Sequence, residues 1–292
     1  MEALRPGFAG LGVIGRGMVG NLMKSWPALP VWNRAAARCE AFAAEGAQPQ
    51  ATPAELARRC NVVGLCVSDT PDVEAVAFGP EGLLAGLSPG AIILDFSTIS
   101  PIATEEFARR AGERGVLWVD APVSGGDVGA RNGTLTIMAG GDRGAFDRAL
   151  PLLEKIGRKI VHMGPSGSGQ RTKLVNQIAV MGTIVSMAES MNFAREKGMD
   201  VAAVIEVVSS GAAGSWSLAN YGPRVLKGDF APGFSINLMA KDLRLVRENL
   251  AGLQADYSVV RRLTEICEKL VAEGKGHEGL HALVKALGWP GN

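Results

Sequence analysis

The sequence has little of what marks several protein classes. Aromatic residues make up only 5% of its 292 residues, and there are three histidines. Charge of either sign is almost cancelled: 30 lysines and arginines against 29 aspartates and glutamates leave +1. That balance supplies no bulk field to recruit nucleic acid or an anionic membrane, so charge recognition must be local. The four cysteines, Cys39, Cys60, Cys66 and Cys267, form no CxxC pair. Their spacing fits neither a zinc site nor a small disulfide framework, and buried free thiols in a reducing compartment are expected. No apolar run approaches about 18 residues, so no membrane span is expected. The opening MEALRPGFAGLG lacks the pattern of a secretory leader. A soluble cytoplasmic protein is expected.

What is present is apolar and rich in glycine. Hydrophobic residues are 47% and charged residues 20%, which excludes general disorder. The length exceeds the roughly 100 to 200 residues usual for one domain and suggests two. The 38 glycines stand well above the usual share of about 7%, which directs attention to ligand loops built from backbone.

Up to about residue 160, short apolar runs alternate with segments of helical spacing. The runs are Gly7–Ala9, Pro30–Trp32, Val62–Val67, Ala91–Leu94, Val116–Val119, Leu135–Ala139 and Ile160–His162. Strand and helix alternating in this way predict a parallel-rich sheet with helices on both faces. Pro53, Pro71 and Pro101 stand where helices would begin. The pattern changes at Gly164. After the glycine-rich connection Gly164–Gln170 comes a long helical pattern from Arg171 to about Lys197, with Leu174, Ile178, Met181, Ile184, Val185 and Ala188 on one face. Only helical segments follow. The expected fold is α/β: a Rossmann-type domain over 1–163 and an all-helical domain over 164–292.

Gly10, Gly12 and Gly15 spell GxGxxG between the first strand and the first helix. There Gly10 makes the tight turn, Gly12 admits a pyrophosphate to the backbone, and Gly15 lets helix pack on strand. The helix start offers free N–H groups to phosphates. The second strand ends at Asn33-Arg34, and Asn33 lies 18 residues past Gly15, where NAD sites place an acid on the ribose diol. No acid stands here. Arg34, assisted by Arg38, suits a 2′-phosphate and points to NADP, with NAD possible. A solvated helix-start arginine is the plainer alternative.

Two further segments carry chemistry. Ser124-Gly125-Gly126 follows a strand and offers a hydroxyl and exposed N–H groups, which suit a carboxylate; taken alone, the segment reads better as a glycine-rich surface turn. Lys173 and Asn176 stand three apart on one helical face. Their apolar neighbours disfavour an ammonium, which suits such a lysine to proton transfer. On spacing alone, a snorkelling surface lysine is the better reading. His277 and His281 are four apart, but no third ligand is suitably spaced, so no metal is expected. Trp216 could wall the substrate site, but a packed aromatic of the helical core is the preferred reading.

Taken together, the motifs resemble the β-hydroxyacid dehydrogenase family, the group of 3-hydroxyisobutyrate dehydrogenase and tartronate semialdehyde reductase. The resemblance runs over nearly all the chain. It is carried by Gly10-Leu11-Gly12-Val13-Ile14-Gly15 with Asn33-Arg34, by Asp95-Phe-Ser-Thr-Ile-Ser-Pro101, by Asp120 to Thr136, by Gly167 to Gln177, and by Phe234 with Lys241-Asp242-Leu243. It implies that Lys173 is the acid/base and that Asn176 holds the substrate beside it. It implies that Ser124, Gly125 and Gly126 bind the substrate carboxylate. Thr98 would sit by the nicotinamide, Lys241 would reach the cofactor, and Val67 and Ser68 would line it. It also implies a homodimer or homotetramer. Two departures stand out: Phe96 replaces a small polar residue, and Gly276–Ala282 lacks the aspartate of the family's terminal stretch. The family's related 6-phosphogluconate enzymes carry a histidine and a glutamate after the lysine; these are missing here, which disfavours decarboxylation. The expected activity is hydride transfer between a nicotinamide, NADP preferred, and a small 3-hydroxy acid or its semialdehyde. The alternatives are an imine reductase-like NADPH enzyme, which usually lacks this lysine, and a non-catalytic cofactor-binding assembly module.

Overall fold

A computed structural model describes residues 3–290. The chain divides after Lys173 into two compact units. The first holds a nine-stranded sheet: β1 (Pro6–Ala9), β2 (Pro30–Trp32), β3 (Gln48–Pro49), β4 (Val62–Leu65), β5 (Ile92–Asp95), β6 (Leu117–Asp120), β7 (Val123–Ser124), β8 (Leu135–Gly141) and β9 (Gly157–Gly164). Its helices are α1 (Val13–Met23), α2 (Ala37–Ala43), α3 (Pro53–Arg58), α4 (Thr70–Phe78), α5 (Pro101–Gly112), α6 (Gly126–Asn132) and α7 (Arg143–Ile156).

Strands β3-β2-β1-β4-β5-β6 lie side by side, all parallel. This doubly wound order opens a ligand crevice where the winding reverses, between β1 and β4. The far end departs from the parallel pattern. Both β6 and β7 pair antiparallel with β8, and β9 runs parallel on its other edge. The chain leaves β7 at Ser124 and re-enters the sheet at Leu135, shorter than the dozen or so residues that a parallel crossover needs.

Alternation along the strands sorts the core into two faces. Phe8, Val62, Ile92, Leu94 and Val119 join one buried cluster, while Ala9, Val63, Ile93 and Trp118 join the other. Successive side chains of a strand point to opposite faces, so a sheet covered on both sides reads as a continuous apolar run. Thr52, Asp69, Ser100 and Asp142 cap α3, α4, α5 and α7, and Pro53, Pro71 and Pro101 lie in their first turns. By contrast, α1 starts at Gly12 with no side-chain cap.

The second unit is helical. It takes α8 (Ser168–Glu196) from Leu174 onward, then α9 (Val201–Ser209), α10 (Trp216–Leu226), α11 (Ile236–Glu248), α12 (Ser258–Ala272) and α13 (Leu283–Ala286). Met181, Ile184, Met187, Ala188 and Met191 of α8 pack in one core with Met239, Leu243, Leu263 and Leu270. Ile178 and Val185 flank that core, partly buried. Among the described residues no helix is long and apolar enough to cross a membrane. Cys39, Cys60 and Cys267 are buried free thiols, whereas Cys66 is only half-buried. Burial pushes the thiols of Cys60 and Cys267 up to about 12. Trp216 departs from the core position expected of it: it is 55% exposed and meets Tyr221 edge-on.

His277 and His281 do not share a helical face either, because Leu280–Ala282 is a 3-10 turn. His281 is fully buried, stacked between Tyr221 and Phe230, and its Nε2 lies 2.7 Å from the Asp229 carbonyl. Its Nδ1 meets no hydrogen-bond partner among the described residues. Burial holds the ring below the ordinary histidine value of 6.5, against the Asp229 carbonyl and with the help of the Arg224 charge. The unfolded chain therefore binds this proton more readily, and the ring's contribution to stability is lost as pH falls below about 6.5. Relative to His281→Phe, the wild type should lose melting temperature progressively from pH 7 to pH 5. Thermal melts of both proteins across that range check this, and parallel curves contradict it.

Candidate active site

The three glycines of the first turn do different things. Gly10 has φ +102°, and a Cβ there would stand 2.1 Å from the Cys66 carbonyl oxygen just after β4. A Cβ at Gly15 would stand 2.0 Å from the Gly10 carbonyl oxygen. Both positions exclude side chains by contact within the protein. A Cβ at Gly12 meets nothing within 4 Å, and its φ is an ordinary −69°. The fold does not require this glycine. Open space over an uncapped helix start, with no acid in its first turn, suits a phosphate group.

Asn33 secures that turn. Its Oδ1 accepts the Leu11 N–H at 2.8 Å, and its Nδ2 donates to the Ala35 carbonyl. The residue at the acid's usual position is thus a prop for the backbone of the glycine turn. Arg34 projects into solvent, 85% exposed, and its Nη1 lies 3.1 Å from Asp72 Oδ1 at the start of α4. Sequence reasoning did not anticipate this acidic partner. Val13 and Ser68 are exposed; Ile14 and Val67 are half-buried.

A buried carboxylate organises the ends of β4, β5 and β6. Asp120 closes β6 and is fully buried. Its Oδ1 accepts the Gly167 N–H at 2.9 Å, and its Oδ2 accepts the Gln170 N–H at 3.0 Å. Burial pushes this carboxyl up to about 6, against the pull of those N–H groups. The Gln170 side chain, also fully buried, donates to the Ser97 carbonyl at 2.8 Å and accepts the Ile99 N–H at 3.1 Å. It thereby spans the half-buried Thr98. Ser97 Oγ in turn accepts the Val67 N–H after β4. The start of α8 is therefore fastened to the carboxyl edge of the sheet, which explains why the first unit extends past the change of pattern at Gly164. Lys173, one turn after Gln170, is only 7% exposed. The alternative of a snorkelling surface lysine does not hold.

The segment after Asp120 is more ordered than a loop. Ser124 ends β7, paired opposite Thr136, and Gly126 opens α6. Gly125 and Gly126 have φ of +131° and +64°. Glycine reaches both conformations without the strain another residue would carry. Asn21 of α1 locks α6 in place: its Nδ2 donates to the carbonyls of Ala130 and Arg131. The sequence signal for Asn21 was a polar residue on the apolar face of α1.

In the second unit, the half-buried Asn176 and Lys241 belong to one cluster around the buried Gln177 and Asp242. Asn176 Nδ2 donates to Gln177 Oε1 at 2.8 Å, Gln177 Nε2 donates to Asp242 Oδ2, and Lys241 Nζ lies 2.7 Å from Asp242 Oδ1.

Comparison with known proteins follows this geometry. Residues 5–164 match the family described as the NAD binding domain of 6-phosphogluconate dehydrogenase. Residues 167–287 match that described as NAD-binding of NADP-dependent 3-hydroxyisobutyrate dehydrogenase. The chain is similar to 2-hydroxy-3-oxopropionate reductase of Escherichia coli (strain K12): 37% identical over 284 residues, 97% of each chain. Among solved structures, 3-hydroxyisobutyrate dehydrogenase from Salmonella typhimurium superposes with a TM-score of 0.88 at 28% identity, covering 97% of this chain and 99% of that one. Psf3 in complex with NADP+ and 2-OPP superposes at 0.92 and 25% identity, covering 97% and 100%.

The division among the glycines is testable. Gly12→Ala should melt within a degree or two of the wild type yet bind a dinucleotide at least about tenfold more weakly, because only the bound phosphates meet the new methyl. Gly15→Ala should lose stability itself. Calorimetry and cofactor titration of both variants check this; a destabilised Gly12→Ala would contradict it.

Proposed function

Because the chain belongs to the β-hydroxyacid dehydrogenase family and is thereby an NAD(P)-dependent oxidoreductase acting on hydroxy acids, we propose that Lys173 moves the hydroxyl proton while Asn176 holds the substrate hydroxyl. The observation that carries this reading is the burial of Lys173 one turn beyond Gln170, on a helix start fastened to the sheet's carboxyl edge by Asp120. An amine held there by a fixed backbone is aimed without further ordering. Ser124, Gly125 and Gly126 bind the carboxylate of a small 3-hydroxy acid or its semialdehyde. Bound nicotinamide gives or takes the hydride. Gly10 to Gly15 hold its phosphates, Thr98, Val67 and Ser68 flank it, and Lys241 reaches it. In this reading residues 1–163 bind cofactor, and 164–292 serve substrate and subunit contacts in a cytoplasmic homodimer or homotetramer.

NADP is the preferred cofactor in this proposal. Support comes from the absence of an acid at Asn33 and from the exposed guanidinium of Arg34. A 2′-phosphate would draw Arg34 from Asp72, with which it shares only a solvent-exposed and therefore weak pair. Arg34→Asp should shift the ratio of kcat/KM values toward NAD, and Asp72→Asn should shift it further toward NADP. If neither variant changes the ratio, Arg34 does not read the cofactor.

Lys173→Ala should reduce kcat by roughly a hundred- to ten-thousand-fold, the range of a positioned proton-transfer group, with cofactor affinity nearly unchanged. In the oxidation direction the wild type should slow as pH falls, since a protonated amine accepts no proton. Steady-state kinetics on a panel of 3-hydroxy acids with NAD and NADP test the whole reading; an alanine variant that keeps near-normal turnover refutes the role of Lys173.

A further inference from the structure

The cluster around Asp242 has a direction. Asp242 is 1% exposed and Gln177 is 3% exposed, and no role assigned above uses either. A carboxylate has only acceptors to offer. Oδ2 of Asp242 therefore takes the Gln177 Nε2 group at 2.5 Å, which turns Gln177 Oε1 to the opposite side. That oxygen also only accepts, so Asn176 must present its Nδ2, as it does at 2.8 Å. Asn176 Oδ1 is consequently turned away from Gln177. With Asn176 reversed, oxygen would face oxygen inside a buried network, where an unmet acceptor is expensive. The remaining oxygen of Asp242 lies 2.7 Å from Lys241 Nζ.

We propose that Asp242 is a positioning residue for both ends of the reaction: through Gln177 it fixes which end of the Asn176 amide meets the substrate, and directly it holds the Lys241 ammonium. The inference rests on the roles given above to Asn176 and Lys241 and adds what sets them. An outward Oδ1 is an acceptor for the substrate hydroxyl in the resting complex; for transfer the hydroxyl turns its single proton to the amine. Two amides that alone could lie either way round are thus ordered by one buried charge.

The two effects can be separated. In Asp242→Asn the side chain at 242 can turn either end toward Gln177, and Lys241 loses its ion pair with Asp242. The KM values for hydroxy acid and for cofactor should each rise by about tenfold, the scale of losing an interaction with a buried charge. Adding Gln177→Glu to that variant puts a carboxylate at 177, which accepts from the amide at 242 and from Asn176 Nδ2 together. The double variant should restore the KM for hydroxy acid while leaving that for cofactor raised. A merely structural role would move both constants together and give no rescue. Unchanged constants in Asp242→Asn, or parallel constants in both variants, overturn the proposal. A readout free of turnover is the exchange rate of the Asn176 side-chain amide protons in 15N-labelled protein without cofactor. It should rise in Asp242→Asn and return in the double variant; a rate unmoved by Asp242→Asn overturns the proposal even if the wild type acts on no hydroxy acid.

Discussion

One buried carboxylate organises much of the first unit. Asp120 sits at the end of a central strand, where side chains alone would leave it no partner. Backbone donors meet it instead: the N–H groups of Gly167 and Gln170, at the start of the long helix. Close approach requires glycine on both sides. A Cβ at Gly169 would stand 2.3 Å from the Met138 carbonyl oxygen, and one at Gly140 would stand 2.8 Å from Asp120 Oδ1. The glycine-rich connection is therefore no slack linker. It is the space needed to bring a helix start, with its positive end, onto a buried negative charge.

From that anchor the polar groups follow by short steps. Gln170 carries the register from Asp120 to the backbone on both sides of Thr98, and Ser97 carries it to Val67. On the other flank, Asn21 joins α1 to α6 through two carbonyls. The turn of Gly10 to Gly15 and the pair Gly125-Gly126 thus rest on adjoining helices with fixed hydrogen bonds between them. Each of these ties is a buried side chain that satisfies main-chain groups, which loops alone would leave unmet.

Features that depend on local pattern were legible in the sequence. Most strands were legible because a sheet covered on both faces needs uninterrupted apolar runs, and the glycine turn because Gly10 and Gly15 admit nothing else. Lys173 could be singled out by resemblance, not by spacing. What escaped reading depends on contacts distant in sequence. Gln170 and Asn21 look like unremarkable amides until the backbone 73 or 109 residues away is known to face them. The short β7 and α6 hid inside a glycine-rich stretch, whose composition speaks for turns. The pairing of Arg34 with Asp72 joins residues 38 apart, and Trp216 read as core only because a packed aromatic is the commoner case.

Asn33 bears on how such a scaffold changes coenzyme. Its oxygen accepts one N–H from Leu11, as an aspartate oxygen would, but its Nδ2 also donates to the Ala35 carbonyl, which an aspartate could not do. The backbone prop is therefore only half indifferent to electrical sign. An acid at this corner would keep the tie to Leu11 and set a carboxylate oxygen against the Ala35 carbonyl. In the proposed reading, a lineage that exchanges one cofactor for the other here gives up one hydrogen bond of the turn along with the change of charge.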